Sequence, residues 1–344
     1  MGWPGRVAVI GAGYMGQGIA EALALAGCDC ALADQSAELA QAALGHLLAE
    51  ADAHEANGLI PSGGSSVLES HVRAAASIEE AVVGADLVVE AVFELREVKE
   101  AVLRRISDAA SPLAAIATNT SSISISSLSA CVTHPERFLG AHWFNPPQFV
   151  PGVEVISCGA TSGRVLEQVE DLLRRAGKQP ARAGDQPGFV ANRLQYALFQ
   201  EAAAVVQEGI ATPEAVDEIV RSTFGFRLPF FGPFAIADMA GLDVYRGTYA
   251  ILEEAYVGRF VAPRLLLDLI AAGALGAKSG HGFVIGDAEQ AAAMAASRNR
   301  AYVAMGRLVE DFRSELPGDH PTPDKTDDRD REPVDKRSGG PRAQ

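Results

Sequence analysis

RVAVIGAGYMG, residues 6–16, sets a short apolar run against a glycine-spaced turn. RVAVI (6–10) has the make-up of a buried strand, and GAGYMG (11–16) fits G-x-G-x-x-G. After a strand and before a helix, that spacing has a physical use. Gly11 makes the tight turn, Gly13 lets backbone approach a pyrophosphate, and Gly16 packs helix on strand. Tyr14 and Met15 open the helix and complete the set of candidate dinucleotide contacts. The next strand, CALAD (30–34), ends in Asp34, where a carboxylate can bond both hydroxyls of an adenosine ribose. Gln35 and Ser36 follow it with no adjacent Arg or Lys, which favours NAD over NADP. The plainer alternative is a glycine-rich turn in some other α/β fold.

Outward from this point, apolar runs alternate with helical patterns: LVVEAV (87–92), a helix over about 97–110, AAIATN (114–119), FLGAHW (138–143) and VEVI (153–156). Such alternation predicts a doubly wound, mostly parallel α/β sheet. ARAGDQPG (181–188) marks a boundary, and beyond it the patterns are helical only. Thr212–Pro213–Glu214 has the order of a helix start: a cap, a proline, then an acid. Gly232–Pro233 punctuates before another helix. The expected division is a Rossmann-type domain over 1–185, an all-helical domain over 186–312, and a tail over 313–344 too poor in apolar residues to hold a fixed structure.

The 344 residues carry a formal net charge of −15, which disfavours nucleic acid as a partner. The four cysteines, at 28, 30, 131 and 158, form no C-x-x-C pair and read as buried thiols in a reducing compartment. The N-terminus lacks a cationic stretch followed by a long apolar one, and no apolar run approaches the roughly 18–20 residues of a membrane span. These features predict a cytoplasmic protein without a membrane partner.

HWFNPPQFVPGVEVI (142–156) carries the candidate chemistry. His142 ends one strand pattern and Glu154 lies within the next, with Asn145 and Pro146–Pro147 between them. In parallel sheets, active groups gather at the carboxyl ends of strands. There a histidine can take a hydroxyl proton while hydride leaves the same carbon, and a carboxylate on its other nitrogen would orient it. Each residue alone has a plainer reading, a structural histidine and a surface acid. TNTSSIS (118–124) follows a strand with uncharged hydroxyls and an amide, and Ser121 stands within it. PGFVANR (187–193) puts Asn192 on the first turns of the helix opening the second domain. A helix cap and a polar helix face are the alternatives for these two.

With these motifs in order, the sequence resembles the L-3-hydroxyacyl-CoA dehydrogenases. The likeness runs from residue 6 to about 285. It covers GAGYMG with Asp34, VVEAVFE followed by Lys99, NTSS, H-x-F-N-P with VEVI, DQPGFVANR, FGPFAIADMAGLD and KSGHGF. The resemblance implies NAD as cofactor, a homodimer, and oxidation at a hydroxyl carbon. It implies His142 as general base and Glu154 as its partner. Ser121 and Asn192 would contact the substrate oxygen. Asn145 and Ser121 would lie near the nicotinamide, and Glu94, Lys99 and Lys278 would meet the cofactor; no metal is implied.

One region departs from the resemblance. Members acting on CoA esters carry a lysine-rich helix in the first domain. Here that region reads LLAEADAHEANGLIPSGG (47–64), and Arg73 is the only Arg or Lys between Gln35 and Glu94. HWFNPP also replaces the commoner single proline. Relatives with H-W-x-N-P-P include an enzyme of vitamin B6 breakdown that oxidises an aromatic aldehyde acid. The substrate is therefore an L-3-hydroxyacyl-CoA or, alternatively, a free hydroxy or aldehyde acid. A non-catalytic role, as in related lens crystallins, is a third reading, opposed by the intact His142, Glu154, Ser121 and Asn192.

Overall fold

The first strand, β1 (Arg6–Ile10), alternates its side chains between two cores. Val7 and Val9 pack on one face of the sheet, and Ala8 and Ile10 pack on the other. Both faces of a doubly wound sheet are covered, so a strand at its centre must be apolar throughout. The structure, a computed structural model, describes residues 5–312 and 315. Apart from Glu315, the tail expected from 313 onward lies outside the described residues.

By its contacts the chain forms two units, Met1–Leu198 and Phe199–Gln344. This division falls inside the helix that follows ARAGDQPG. The first unit holds β1, β2 (Asp29–Ala33), β3 (Val72–Ala74), β4 (Leu87–Glu90), β5 (Ala115–Thr118), β6 (Phe138–Trp143), β7 (Gly152–Ser157) and β8 (Gln179–Ala183). Their order in the sheet is β3-β2-β1-β4-β5-β6-β7-β8. All pairings are parallel except β6 with β7. β3 and β8 are absent from the sequence reading, since VRA is too short and QPARA too polar to register as apolar runs.

Helices α1 (Tyr14–Leu25), α2 (Ala37–Ala56), α3 (Gly64–His71), α4 (Ile78–Val82), α5 (Arg96–Ala109), α6 (Ile125–Ser129) and α7 (Gly163–Arg175) connect these strands. Ser36 caps α2 and Ser162 caps α7, each side chain accepting a backbone N–H of the first turn. Leu23 of α1, Leu47 of α2 and Leu172 of α7 belong to the Val7–Val9 core, whereas Leu103 and Ile106 of α5 belong to the Ala8–Ile10 core. All four cysteines are buried and none is in a disulfide.

Helix α8 (Ala191–Gln207) begins in the first unit. The second unit continues with α9 (Pro213–Ser222), α10 (Phe224–Arg227), α11 (Pro233–Ala240), α12 (Leu242–Ala255), α13 (Arg264–Ala271) and α14 (Ala288–Asp311). Thr212 caps α9, with Pro213 and Glu214 in its first turn, as the sequence order predicts. A buried cluster joins Ala237, Leu242 and Leu266. Beside it the Asp238 carboxylate accepts N–H bonds from Phe283, Val284 and Ile285, which fixes the end of KSGHGF. Among the described residues, no helix is long and apolar enough to cross a membrane.

Candidate active site

The glycine turn is built as its spacing requires. Gly11 sits at φ +106°, and a Cβ there would come 2.5 Å from the Ala91 carbonyl oxygen. A Cβ on Gly16 would come 1.8 Å from the Gly11 carbonyl oxygen, whereas one on Gly13 would meet nothing within 4 Å. Two glycines thus close the turn, and the third leaves open space where backbone can approach a pyrophosphate. Asp34 accepts from the Ala12 N–H at 2.6 Å and the Gln35 N–H at 2.7 Å. Its carboxylate lines a cavity of about 610 Å³ with Gly11, Gly13, Tyr14, Met15 and Arg105. These donors, this acid and this volume fit NAD.

Arg105 lies far along the chain from Asp34, so no local sequence pattern places it at this cavity. It reaches the cavity from α5, and Glu79 holds it at 3.0 and 3.1 Å. Its guanidinium is thus paired with Glu79 rather than with Asp34.

Beyond β4, buried polar groups organise the rim. Glu90 accepts from Lys99 Nζ at 2.8 Å, from the Val92 N–H at 2.8 Å and from Thr118 Oγ1 at 2.5 Å. Lys99, which the resemblance implies as a cofactor contact, has a fully buried side chain whose ammonium meets Glu90, the Val92 carbonyl and Glu94. Glu94 carries the effect to the TNTSSIS loop. Its Oε1 accepts from Thr120 Oγ1 at 2.6 Å and from the Ser121 and Ser122 N–H groups at 2.9 and 3.0 Å. Burial alone would push the Glu94 carboxyl up. The Thr120 bond, the Lys99 charge and the Ser121 and Ser122 donors outweigh it and hold the group below the usual carboxylate range.

His142 and Glu154 face each other across β6 and β7, in register. His142 Nδ1 lies 2.8 Å from Glu154 Oε2, and both residues are buried. Glu154 Oε1 accepts the Val190 and Ala191 N–H groups at 2.9 Å each, at the start of α8. One carboxylate therefore ties the histidine to the helix that carries Asn192. Asn192 Nδ2 donates to the Ser121 carbonyl at 3.1 Å, so Ser121 and Asn192 meet as well. The His142 ring packs against Phe144 and Phe189, with centroids at 4.5 and 5.6 Å. Phe189 takes φ +47°, a strained backbone state for a residue with a side chain, and is held there fully packed.

Asn145 is exposed at the start of the turn between β6 and β7, and the Asn145–Pro146 peptide is cis. Lys278 belongs to the second unit and bonds Asp243 at 2.8 and 2.9 Å. Among the described residues, no group of three or more His, Cys, Asp or Glu could hold a metal ion.

The same turn depends on Lys178, which no local pattern marks. Its buried Nζ donates to the carbonyls of Pro147, Gln148 and Val150 at 2.6, 2.9 and 3.1 Å and stands 5.6 Å from the Trp143 ring centre. The lysine reaches them because β8 pairs with β7 from Gly152–Gln179 onward. Burial pulls the ammonium's pKa down, opposed by the charge of Glu21.

This geometry defines a class: a dinucleotide-dependent oxidoreductase with a histidine–carboxylate pair at the end of the sheet. Known proteins make it specific. The family model for the 3-hydroxyacyl-CoA dehydrogenase NAD-binding domain matches residues 6–186, and that for the C-terminal domain matches 188–286. The chain is 36% identical to the 5-formyl-3-hydroxy-2-methylpyridine 4-carboxylate 5-dehydrogenase of Mesorhizobium japonicum, over 89% of this chain and 98% of that protein. It is 34% identical to a probable 3-hydroxybutyryl-CoA dehydrogenase of Deinococcus radiodurans, over 81% of this chain and 99% of that protein. A crystal structure of a 3-hydroxyacyl-CoA dehydrogenase from Archaeoglobus fulgidus matches with a TM-score of 0.72 and 30% identity, over 89% and 99% of the two chains. The chain belongs to the 3-hydroxyacyl-CoA dehydrogenase family and is an NAD-dependent oxidoreductase acting on CH–OH.

Two outcomes follow from the site. NAD will bind at least about tenfold tighter than NADP, a gap of about 1.4 kcal/mol, in fluorescence titrations. Equal affinities would mean that Asp34 does not meet the ribose. Lys178→Met leaves three inward-facing carbonyls without their donor, a cost of about 1–3 kcal/mol. Thermal melting will therefore fall by several degrees, with Lys178→Arg intermediate; an unchanged melting temperature would contradict that role.

Proposed function

We propose that this chain moves hydride between NAD and a hydroxyl-bearing carbon, with His142 as the base. The 2.8 Å contact of His142 Nδ1 with Glu154 carries this reading. A carboxylate only accepts, so Nδ1 holds the proton and Nε2 keeps its lone pair. In the oxidising direction Nε2 takes the hydroxyl proton, and the imidazolium so formed is stabilised by the adjacent Glu154 charge. NAD, when bound, accepts the hydride that leaves the same carbon. Ser121 and Asn192 hold the substrate oxygen, and Asn145 stands toward the nicotinamide. Glu94 positions Ser121 through its backbone N–H.

The relatives' names divide between CoA esters and a pyridine carboxylate. One observation favours a free hydroxy or aldehyde acid. Arg73, the only Arg or Lys between Gln35 and Glu94, is ion-paired to Glu80 at 3.0 Å. Helix α2 offers Glu50 and Asp52 instead, while Glu55 accepts the Gly63 and Ser65 N–H groups and shapes the α2–α3 loop. The phosphates of a CoA ester at this helix would meet carboxylates rather than lysines. Like charges there cost on the order of 1 kcal/mol each after screening.

A substrate panel with NAD tests this: 3-hydroxybutyryl-CoA, its pantetheine thioester, free 3-hydroxybutyrate and an aromatic aldehyde acid. The pantetheine ester will match the CoA ester in kcat/KM, and a free acid will do at least as well. His142→Ala will lower kcat on the best substrate by about 10²-fold or more. A preference of about a hundredfold for the CoA ester over the pantetheine ester would return the assignment to acyl-CoA.

A further inference from the structure

The second unit has a cavity of its own, about 360 Å³, at one end of α10. Arg227 closes α10, and Arg298, Asn299 and Tyr302 come from α14. Ile236 and Met239 of α11 supply apolar wall. Tyr302 is backed by two further rings, Phe226 at 5.8 Å and Phe231 at 6.1 Å between centroids. Among the described residues, no carboxylate lines the cavity.

Both arginines sit in an acidic chain. Acids outnumber lysines and arginines 44 to 29, and many arginines here meet a carboxylate, as Arg105 meets Glu79 and Arg259 meets Glu201 and Glu208. Among the described residues, neither Arg227 nor Arg298 has such a partner. Arg298 Nε donates only to the Asn299 side-chain oxygen, at 3.2 Å. Both arginines are half-buried. Two cations around one partly desolvated space repel each other, and an anion between them relieves that cost while filling their donor forks. Ile236, Met239 and the Tyr302 ring require more of the ligand than charge, namely an apolar or aromatic body. The volume lies at the small end of the range for small-molecule sites, about 300–1,000 Å³.

We propose that Arg227 and Arg298 form a binding site for a small organic acid, its carboxylate held by the guanidiniums and its apolar or aromatic body against Tyr302, Met239 and Ile236. The site belongs wholly to the second unit, and the inference needs neither the His142–Glu154 chemistry nor NAD. It bears on the substrate reading above, since a protein built for free acids has use for a carboxylate site.

Calorimetric titration of the full chain without NAD tests it, with benzoate, pyridine-4-carboxylate, benzamide and inorganic phosphate as probes. Both carboxylates will bind, and benzamide, of the same shape without charge, will bind at least about tenfold more weakly. Arg227→Gln and Arg298→Gln will each weaken benzoate about tenfold or more, Arg227→Lys less so, with the melting curve and NAD affinity retained. His142→Ala will bind benzoate like the wild type, which separates this site from the catalytic reading. Benzamide binding as well as benzoate, benzoate affinity unchanged in both glutamine variants, or phosphate binding as tightly as benzoate with the same arginine dependence would each overturn the organic-acid site.

Discussion

Glu154 is the constraint on which the site depends. Its two oxygens do different work: one faces His142, and the other takes two N–H groups at the start of α8. A buried carboxylate is costly unless fully bonded, and this one is bonded on both sides. The helix end supplies orphan donors that need an acceptor anyway. So the orientation of His142 and the placement of Asn192 arise from one electrostatic requirement. β7 runs antiparallel to β6, and this brings Glu154 opposite His142 in register.

Around that pair the polar groups form braces. Glu90, Lys99 and Glu94 hand charge from the buried end of β4 to the backbone of Ser121 and Ser122. Asp185 does the same for the other end of that segment, accepting from Ser124 Oγ and the Ile125 and Ser126 N–H groups. Burial alone would raise the Asp185 carboxyl; the Ser126, Ile125 and Ser124 donors outweigh it and hold the group low. A carboxylate held low in the folded state contributes stability that is present above its unfolded pKa. That stability is lost as pH falls through the folded value. Glu94 and Asp185 both have this sign, so the loop bearing Ser121 is secured at neutral pH and loosens in acid.

Much of this was legible in the chain. The G-x-G-x-x-G turn between an apolar strand and a helix encodes its own geometry, because only glycine tolerates Gly11's φ and the closeness of Gly16 to Gly11. The strand pattern gave the sheet, and the Pro–Pro turn drew attention to His142 and Glu154. Other features depend on partners distant in sequence. Lys178 finds its three carbonyls only through the pairing of β8 with β7, and Arg105 reaches the cavity beside Asp34 from α5. β3 and β8 are strands by pairing rather than by composition. The resemblance implies Lys99 as a cofactor contact, and in the structure two glutamates hold its ammonium.

Replacing Glu154 by Gln tests the central claim most directly. The amide keeps the shape, removes the charge, and sets an N–H₂ group against either the α8 donors or His142 Nδ1. kcat and NAD affinity would be measured together across pH. The account predicts a loss in kcat of about 10²-fold with NAD affinity within about twofold of wild type. A variant that turns over at the wild-type rate would show that the carboxylate does not orient the base.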